Sequence, residues 1–517
     1  MKRYVVLLFA LVATLLTAQA QTQLSQQQQI QKLNYVYQHI RNNYVDDVPL
    51  EPLVREAIIA TLKELDPHSR YLSQQDMEQM RGRLGGKFAG IGIRYHIHND
   101  TLVVRTTYDN SPAKRAKILP NDRITAINGQ SVIGLRGDSI PKLLKGDAGS
   151  KVTLTVERRN DNNAKEITLK REEIETSAIN SAFRLGDIGY IACESFSKSV
   201  DAEFYTTFRS LGNIEALVVD LRDNGGGALS SAIDLTSLFL RKGDIIVTTE
   251  GKEREVVYHK RREGNLGDIP LVVIINENSA SASEIFAGAI QDHDRGVVIG
   301  HTSYGKGLVQ RVYDLKDGSG LCLTIARYKT PSGRIIQRPY TMGHGEEYLA
   351  DTLRYMHPDS IAYHNRPQFQ TLKNRRIVYG GGGITPDIYI NKDSLRLSTT
   401  ITEAQRRGIF EHTVTDYWDH TPMETLRKSY PTVEQFCQGY VVDETLWKSL
   451  LSTAHLSATE LTERDMRYIR ATLMAIMAEQ LYGQSAGHYA YITLYDHVAN
   501  EAFRLASSPE QIKSILK

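Results

Sequence analysis

The chain has 517 residues, of which 24% are charged and 41% are hydrophobic, fractions that are ordinary for globular proteins. That length exceeds what a single hydrophobic core supports, so about three or four domains are expected. A net charge of +2 argues against a nucleic-acid partner, and three widely spaced cysteines argue against a disulfide framework or a zinc cage.

The N-terminus has the order of a secretory signal peptide. Basic residues at Met1-Lys2-Arg3 precede an apolar run from Tyr4 to Leu16, and Ala18-Gln19-Ala20 supplies a small-residue cleavage site. The apolar run is shorter than the roughly 20 residues that span a bilayer. We therefore expect residues 1–20 to be removed and the mature protein to be soluble outside the cytoplasm, without a lipid anchor because no cysteine follows the cut.

Residues 21–82 are predicted to form an N-terminal helical region. A Gln-rich stretch leads into a largely helical pattern from Leu33 to Met80, and Asp66-Pro67-His68-Ser69 interrupts it. Helical spacing places four apolar side chains on one face: Val54, Ile58, Leu62 and Leu65. These helices are expected to pack on a core or to pair two protomers.

Residues 83–173 change to short β-branched runs separated by turn signals. Strands are predicted at Thr101–Arg105, Arg123–Ile127 and Lys151–Arg158, and Asn128-Gly129 fits a tight turn between strands. His96 and His98 fall two apart in a further strand and so share a face, which we interpret as solvated because no third metal ligand is nearby. The region is predicted to be a small β-rich domain.

Residues 174–394 alternate buried strands with apolar helices. The strands are predicted at 216–221, 271–276 and 297–300, and the helices at 229–240 and 283–291. Such alternation predicts an α/β core with a mainly parallel sheet. Residues 395–517 then show helical spacing with few strand signals, so the whole chain is an α/β multidomain protein with an inserted β-rich domain and helical ends.

Two of the predicted core strands end in segments whose residues are candidates for binding or catalysis. The first leads into Arg222-Asp223-Asn224-Gly225-Gly226-Gly227, where glycines would let backbone N–H groups face an oxyanion or a phosphate, or would merely allow a tight turn. The second leads into the small residues 277–284 and then a helix. That pattern fits a reactive hydroxyl on an exposed turn, or equally a serine that caps the helix with Glu284 in its first turn.

A third strand leads to a lysine between two glycines, Gly305-Lys306-Gly307. The spacing Gly300-x4-Gly305-Lys306 matches a phosphate-binding loop, but Gly307 stands where that loop needs a Ser or Thr to bind magnesium. A nucleotide site is therefore disfavoured, and the lysine is a candidate catalytic group.

These segments together resemble the carboxyl-terminal processing, or tail-specific, proteases. Four blocks in this order carry the resemblance: Asp220-Leu221-Arg222-x-Asn224-x-Gly226-Gly227, Ser279-Ala280-Ser281-Ala282-Ser283-Glu284, Gly305-Lys306-Gly307-x-x-Gln310 and Tyr328-x-Thr330-Pro331-Ser332-Gly333-Arg334. Asp66-Pro67-His68-Ser69 and Gly383-Ile384-Thr385-Pro386-Asp387 also fit. The resemblance covers about Asn34 to Asp393 and implies a secreted, periplasmic serine endopeptidase.

Site roles follow from the resemblance by position. It implies Ser281 as nucleophile, Lys306 as general base and Gln310 as the side chain that orients the lysine. The oxyanion hole would use the N–H of Ala282 and one from the turn at Gly226 and Gly227. The family usually has proline where this chain has Gly225, which would loosen that turn.

The proposed base makes a physical demand on its surroundings. A lysine of ordinary pKa is protonated at neutral pH and cannot take a proton from serine, so the pKa of Lys306 must be lowered by burial or by like charge. A Ser-Lys pair needs no histidine.

The β-rich domain resembles a PDZ module. Residues 87–93 are similar to the loop with which PDZ domains bind a terminal carboxylate while the peptide adds as a strand. The resemblance assigns substrate C-terminus binding to five residues: Phe88, Gly90, Ile91, Gly92 and Ile93. It implies protein or peptide substrates with free C-termini, allows an adaptor lipoprotein and a homo-oligomer through the helical ends, and implies no metal or organic cofactor.

Two alternatives stay open at this point. A serine hydrolase could use Ser281 with His293 or His301 as its base. A non-catalytic ligand-binding or scaffold protein could also share this fold, although the joint presence of Ser281, Lys306 and Gln310 argues against it.

Overall fold

The structure is a computed structural model that describes residues 25–135, 139–158, 163–261, 266–350, 365–391 and 397–517. The predicted signal peptide and residue 395, where the last region was expected to begin, lie outside these ranges. No helix within them is long and apolar enough to cross a membrane.

The N-terminal segment forms helices that end in a short strand and a capped helix. Its elements are α1 (residues 25–43), α2 (Leu50–Lys63), β1 (Arg70–Leu72) and α3 (Gln74–Gly85). Helix α3 starts at a capping box between Ser73 and Asp76 and ends at Gly86 in the left-handed conformation. Leu62 of the predicted apolar face is buried, whereas Val54 and Leu65 stay 38% and 36% exposed, so that face is only partly covered.

The β-rich domain is an antiparallel sheet with two short helices. Its elements are β3 (Ile93–His98), β4 (Thr101–Thr107), α4 (Pro112–Arg115), β5 (Arg123–Ile127), β6 (Gln130–Ser131), α5 (Ile140–Leu144), β7 (Lys151–Glu157) and β8 (Lys165–Lys170). The sheet order is β3-β4-β5-β7-β8, with β6 paired to β5. The predicted Asn128-Gly129 turn is confirmed, because both residues have positive φ and Ile127 pairs with Gln130 across it.

The chain enters and leaves this domain through one short ribbon. Strands β2 (Lys87–Gly90) and β9 (Glu172–Glu175) pair antiparallel, with Phe88 opposite Ile174. The two covalent connections between the β-rich domain and the rest of the chain therefore run side by side.

The prediction of a mainly parallel sheet in the α/β core is confirmed. The sheet contains β10 (Ile179–Leu185), β11 (Ile188–Cys193), β12 (Ala216–Asp220), β15 (Leu271–Ile275), β16 (Val297–Gly300) and β21 (Ile388–Tyr389) in that spatial order. Only β10 runs antiparallel to its neighbour. One face packs on α6 (Val200–Ser210), α7 (Leu229–Ser237) and α8 (Ala282–Asp292).

A second sheet brings distant parts of the chain together. It contains β1, β13 (Ile245–Gly251), β14 (Glu255–His259), β17 (Leu308–Asp314) and β18 (Gly320–Lys329). Strand β1 pairs with β18 so that Arg70 lies opposite Cys322. Three smaller elements follow: α9 (Gly345–Ala350), β19 (Gln368–Gln370) and β20 (Ile377–Tyr379).

The C-terminal region is helical, as predicted. Its helices are α10 (Thr399–Arg406), α11 (Ile409–Trp418), α12 (Met423–Ser429), α13 (Val433–Gly439), α14 (Glu444–Ala454), α15 (Glu463–Tyr482), α16 (Gln484–Leu494), α17 (His497–Ala506) and α18 (Pro509–Ile515). Most of α10 to α16 surrounds a hydrophobic core of its own.

The last two helices, α17 and α18, do not belong to that separate core. Val498, Phe503 and Ile512 pack with Val218 and Val272 on the second face of the parallel sheet. Alternate strand residues therefore meet helices on opposite faces, which explains why these strands are continuous apolar runs. The C-terminal region supplies one of the three layers of the α/β core.

Arg222 fixes the position of α17 on the sheet. Its guanidinium lies 2.7 Å from a carboxylate oxygen of Asp496 and 2.9 Å from one of Asp220 at the end of β12. Asp496 also caps α17 by accepting a hydrogen bond from the N–H of Ala499 at 3.0 Å. A charged pair that also caps a helix sets the position of that helix along the sheet.

Candidate active site

Ser281 lies on a sharp turn between β15 and α8. Its φ of 56° and ψ of −110° are unusual for a residue with a side chain, and every residue of α8 behind it is buried. Such strain is maintained only where the surroundings fix the backbone, as the buried helix does here. Ser281 is also the N-cap residue of α8, with Glu284 in the first turn of that helix, and it lines an open cleft that a substrate can enter.

Lys306 lies in the loop between β16 and β17. The flanking glycines are required by close contacts: a Cβ on Gly305 would lie 2.6 Å from Cγ of Arg338, and one on Gly307 would lie 2.9 Å from the N of Gln337. Close packing on both sides therefore fixes the path of the backbone that carries the lysine.

A chain of two hydrogen bonds orients the lysine amine. Lys306 Nζ donates to Gln310 Oε1 at 2.8 Å, and Gln310 Nε2 donates to the carbonyl of His68 at 2.6 Å. The turn that carries His68 is itself held by Asp66, whose carboxylate accepts from the N–H groups of His68 and Ser69 at 2.9 Å. The early Asp-Pro-His-Ser segment thus supports the side chain that holds the lysine.

The surroundings of Lys306 favour its neutral form. Burial lowers the pKa of Lys306, and the nearby Arg70 lowers it further, while Cys322 and Glu284 act in the opposite direction. His68 is affected in the same way, since burial and Lys306 lower the pKa of His68 to about 4. The direction of the shift in the pKa of Lys306 is therefore the one that a lysine base requires.

Glu284 connects the segments that carry Ser281 and Lys306. Its buried carboxylate accepts hydrogen bonds from the N–H groups of Ser281 at 2.8 Å, Gly305 at 2.6 Å and Lys306 at 2.9 Å, and from the hydroxyl of Ser303 at 2.6 Å. Burial raises the pKa of Glu284, and these four donors counteract it. The sequence indicated only a first-turn residue of the helix, because three of its four partners lie about twenty residues away.

Tyr328 makes a second connection between these segments. Its buried hydroxyl lies 2.9 Å from the carbonyl oxygen of Lys306 and 3.2 Å from that of Ser281, and donates between them. The tyrosine belongs to a block quoted above for the family resemblance, but the sequence did not indicate this role.

The glycine turn after β12 lies directly against Ser281. A Cβ on Gly226 would lie 2.7 Å from the carbonyl oxygen of Ala280 and 2.9 Å from the N of Ala282. The N–H of Gly226 donates to Asn224 Oδ1 at 2.9 Å and so is not free to donate to an oxyanion in this conformation. Among the described residues, the N–H groups of Gly227 and Ala282 have no acceptor.

Gly225 in the same turn offers a stability test. A Cβ there would meet nothing within 4 Å, so Gly225→Ala should raise the free energy of unfolding by about 0.4–1 kcal/mol through the unfolded chain's entropy. Gly226→Ala is the matched control and should destabilise, because its φ is 97° and its Cβ would collide with backbone. Urea unfolding of both variants checks this, and a loss of stability in Gly225→Ala would contradict it.

One cleft of about 3490 Å³ brings the predicted site residues together. It is lined by Ser281, Lys306, Gln310, Ala282, Gly226 and Gly227, and also by Phe88, Gly90, Ile91, Gly92 and Ile93 of the β-rich domain. Ser281 and Lys306 line the same cleft, and no hydrogen bond joins their side chains among the described residues. The C-terminal region adds Trp418, Met423 and Arg427 to the wall.

The two rival bases lie elsewhere. His293 Nε2 lies 2.7 Å from the carbonyl oxygen of Ile245, and His301 lies 3.6 Å from the carboxylate of Glu277. Neither histidine lines the cleft that contains Ser281, as far as the described residues define it. The geometry therefore favours Lys306 over both.

The interpretation of His96 and His98 as a solvated face was wrong. His98 is 4% exposed, and its Nε2 lies 2.9 Å from Oδ1 of Asp416, while His96 Nε2 lies 3.0 Å from the hydroxyl oxygen of Thr415. Helix α11 covers this face, and its residues are some 320 positions away in the sequence. The described residues contain no cluster of three or more potential metal ligands.

Family models match three parts of the chain. Peptidase family S41 matches residues 187–343, a PDZ domain matches residues 89–170, and a family of unknown function matches residues 400–483. The last match falls within the helices α10 to α15.

Curated relatives match over a longer span. A carboxy-terminal-processing protease of Bartonella bacilliformis is 35% identical over 316 residues, which cover 60% of this chain and 73% of the relative. A Staphylococcus epidermidis protein named "Probable CtpA-like serine protease" is 29% identical over 410 residues, or 77% of this chain and 82% of the relative. A solved structure of a photosystem II D1 C-terminal processing protease is 26% identical with a TM-score of 0.35, covering 69% of this chain and 87% of the other.

Proposed function

This chain belongs to the carboxy-terminal-processing protease family, and from that premise we propose that it cleaves proteins at or near their C-termini with a Ser281–Lys306 dyad. It is a serine peptidase of family S41 that carries a PDZ domain. The observation that carries the proposal is the buried lysine of lowered pKa, held by Gln310 in the cleft that is also lined by Ser281.

The hydrogen bond to Gln310 suits a general base. A neutral amine that donates one N–H to Gln310 Oε1 keeps its lone pair for another partner. Lys306 then takes the proton as Ser281 Oγ attacks the scissile carbonyl carbon, and it returns that proton to the leaving amine. In the second step water attacks the acyl-enzyme, Lys306 takes a proton from that water, and it returns the proton to Ser281 Oγ.

The developing negative charge needs donors that are not already occupied. The N–H groups of Ala282 and Gly227 fit this role, because Gly226 already donates to Asn224. Ala282 is also the first residue of α8, so the helix dipole adds favourable potential at that point.

The PDZ domain is proposed to bind the substrate's C-terminus. Gly92 has φ of 77°, and a Cβ there would lie 2.3 Å from Cβ of Ser111, so only glycine fits this loop. Strand β3 follows the loop and pairs with β4 alone among the described strands, which leaves an edge that a peptide can extend. Phe88 and Ile93 would favour apolar terminal side chains.

Export to the periplasm remains a proposal that rests on residues 1–20 of the sequence. Self-association through the N-terminal helices is supported by exposed apolar side chains on α1, where Ile30 and Leu33 are 72% and 53% exposed. An adaptor lipoprotein stays a prediction of the family resemblance.

On the acidic side of its pH profile, kcat/KM should increase with pH, and the pKa of Lys306 should set the position of this acidic limb. The free amine is the active form, so kcat/KM falls as the pH drops through the pKa of this lysine, which burial lowers from the ordinary 10.5. Gln310→Glu places a carboxylate on the amine, raises its pKa and should move the limb to higher pH. A limb that does not move in this variant would contradict the assignment.

The tail-directed function can be tested with one loosely folded protein made in two forms. One form ends in an apolar tail with a free carboxylate, and the other has the same tail amidated. Intact-mass analysis should show faster cleavage of the free-acid form, and Ser281→Ala should cleave neither. Equal cleavage of both forms would refute tail capture while leaving the protease activity standing.

A further inference from the structure

The open edge of β3 can be located residue by residue. The N–H of Val104 donates to the carbonyl of Asp122, and its own carbonyl accepts from Asn121, so the backbone groups of Val104 face β5. The neighbouring Val103 therefore faces β3, where it pairs with His96. By alternation, the backbone groups of Ile93, Tyr95 and Ile97 point to the open edge.

A histidine of the C-terminal region already occupies part of this edge. His412 Nε2 lies 3.0 Å from the carbonyl oxygen of Ile97, and because a carbonyl only accepts, that nitrogen carries the hydrogen. His412 belongs to α11, and the same helix contacts the two neighbours of Ile97 through Thr415 and Asp416. Three consecutive residues of β3 are thus held by one helix.

The contact between α11 and the PDZ domain is reinforced beyond β3. Asp419, just after α11, receives two hydrogen bonds from the guanidinium of Arg123 at 2.7 and 3.0 Å. Glu479 of α15 accepts from Arg105 Nε at 3.0 Å. Bidentate and charge-assisted contacts of this kind fix orientation, so α11 is a firm part of the PDZ surface.

We propose that α11 caps the peptide-binding edge of β3 at Ile97 and thereby limits how much of a substrate tail the PDZ domain pairs. This inference rests on the proposed capture of substrate C-termini. A tail with its carboxylate at the loop before β3 runs antiparallel to that strand. Its terminal residue then faces Ile93, the third residue from the end faces Tyr95, and the fifth would need the carbonyl of Ile97 that His412 holds.

The cap limits how many substrate residues pair with β3, and it also determines where the substrate chain goes after them. A chain that pairs with Ile93 and Tyr95 must leave the sheet after about four residues, because α11 lies across the rest of the edge. The C-terminal region also supplies Trp418, Met423 and Arg427 to the wall of the cleft that contains Ser281. The C-terminal helices therefore turn the substrate away from the sheet and into the catalytic cleft.

The experiment measures affinity against peptide length on the full chain carrying Ser281→Ala. The probes are free-acid peptides of four, six and eight residues that share the terminal sequence Thr-Val-Val-Ala and extend it with alternating Thr and Val. In the parent protein, Kd should change less than twofold between four and eight residues. In His412→Ala, the eight-residue peptide should bind about fivefold or more tightly than the four-residue one, since one or two more backbone hydrogen bonds form.

Matched variants separate the cap from general effects. His412→Gln keeps a side-chain donor, so its Kd should still change less than twofold with peptide length, which is the plateau expected of the parent. His420→Ala changes an exposed histidine just beyond α11 and should behave as the parent. A continued rise of affinity beyond four residues in the parent protein would overturn the cap without any variant. An unchanged plateau in a folded His412→Ala would do the same. Absence of binding by every free-acid peptide would overturn tail capture itself, and the cap with it.

Discussion

Lys306→Ala should lower kcat for peptide cleavage by about 10²–10⁴-fold while leaving the fold intact. The substitution removes the group that accepts the serine proton, and a general base contributes about 10²–10⁴ in rate. Members of a catalytic unit act together, so Lys306→Ala, Ser281→Ala and the double variant should all show similar residual rates. Steady-state cleavage of a labile peptide, with thermal unfolding as a check of folding, makes the measurement.

Two further lysine variants and one histidine variant make this test decisive. Lys306→Arg preserves positive charge but cannot act as a base near neutral pH, so it should be as inactive as the alanine variant. Lys329→Ala removes a lysine that pairs with Glu250 at 2.9 Å outside the cleft, and it should remain active. Retained activity in Lys306→Ala together with its loss in His301→Ala would show that the base was assigned to the wrong residue.

Glu284→Gln should destabilise the protein by about 2–6 kcal/mol and abolish most activity. Each carboxylate oxygen of Glu284 accepts two hydrogen bonds, and an amide offers only one oxygen, so its NH₂ group would face two donors. A buried donor left without its acceptor costs about 1–3 kcal/mol. Because two of the four donors are backbone groups of Ser281 and Lys306, the catalytic residues should also shift.

Urea unfolding and peptide cleavage should both report on Glu284→Gln. Glu255→Gln is the matched control, since Glu255 lies on an exposed strand and pairs with Lys329 at 3.3 Å. A variant at 284 that keeps full stability and activity would mean that the carboxylate does not hold the two segments together.

The central sheet was predictable from the sequence, because its strands are covered on both faces. Strands 216–221, 271–276 and 297–300 read as unbroken apolar runs, and the structure places strands at Ala216–Asp220, Leu271–Ile275 and Val297–Gly300. The helix predicted at 229–240, after the first of these strands, is shorter than expected and ends at Ser237, because the following residues turn before β13.

Contacts between distant segments could not be read from local patterns. Strand β1 pairs with β18 about 250 positions later, and that pairing helps to bring the turn at His68 beside Gln310. His96 and His98 looked solvated because the helix that buries them comes some 320 residues further on. Motif blocks named Ser281, Lys306 and Gln310, whereas Glu284 and Tyr328 needed three-dimensional contacts to reveal their roles.

The parallel sheet receives its second layer from α17 and α18, which are the last helices described. A ribosome would therefore finish the catalytic strands, turns and glycine loops well before the helices that cover them exist. Until those helices dock, Val218, Val272 and their neighbours face solvent and the loop at Arg222 lacks its partner Asp496. A partly synthesised chain would thus carry Ser281 and Lys306 without a completed core around them. We therefore expect the site to form only after α17 and α18 have been made and have docked on the sheet.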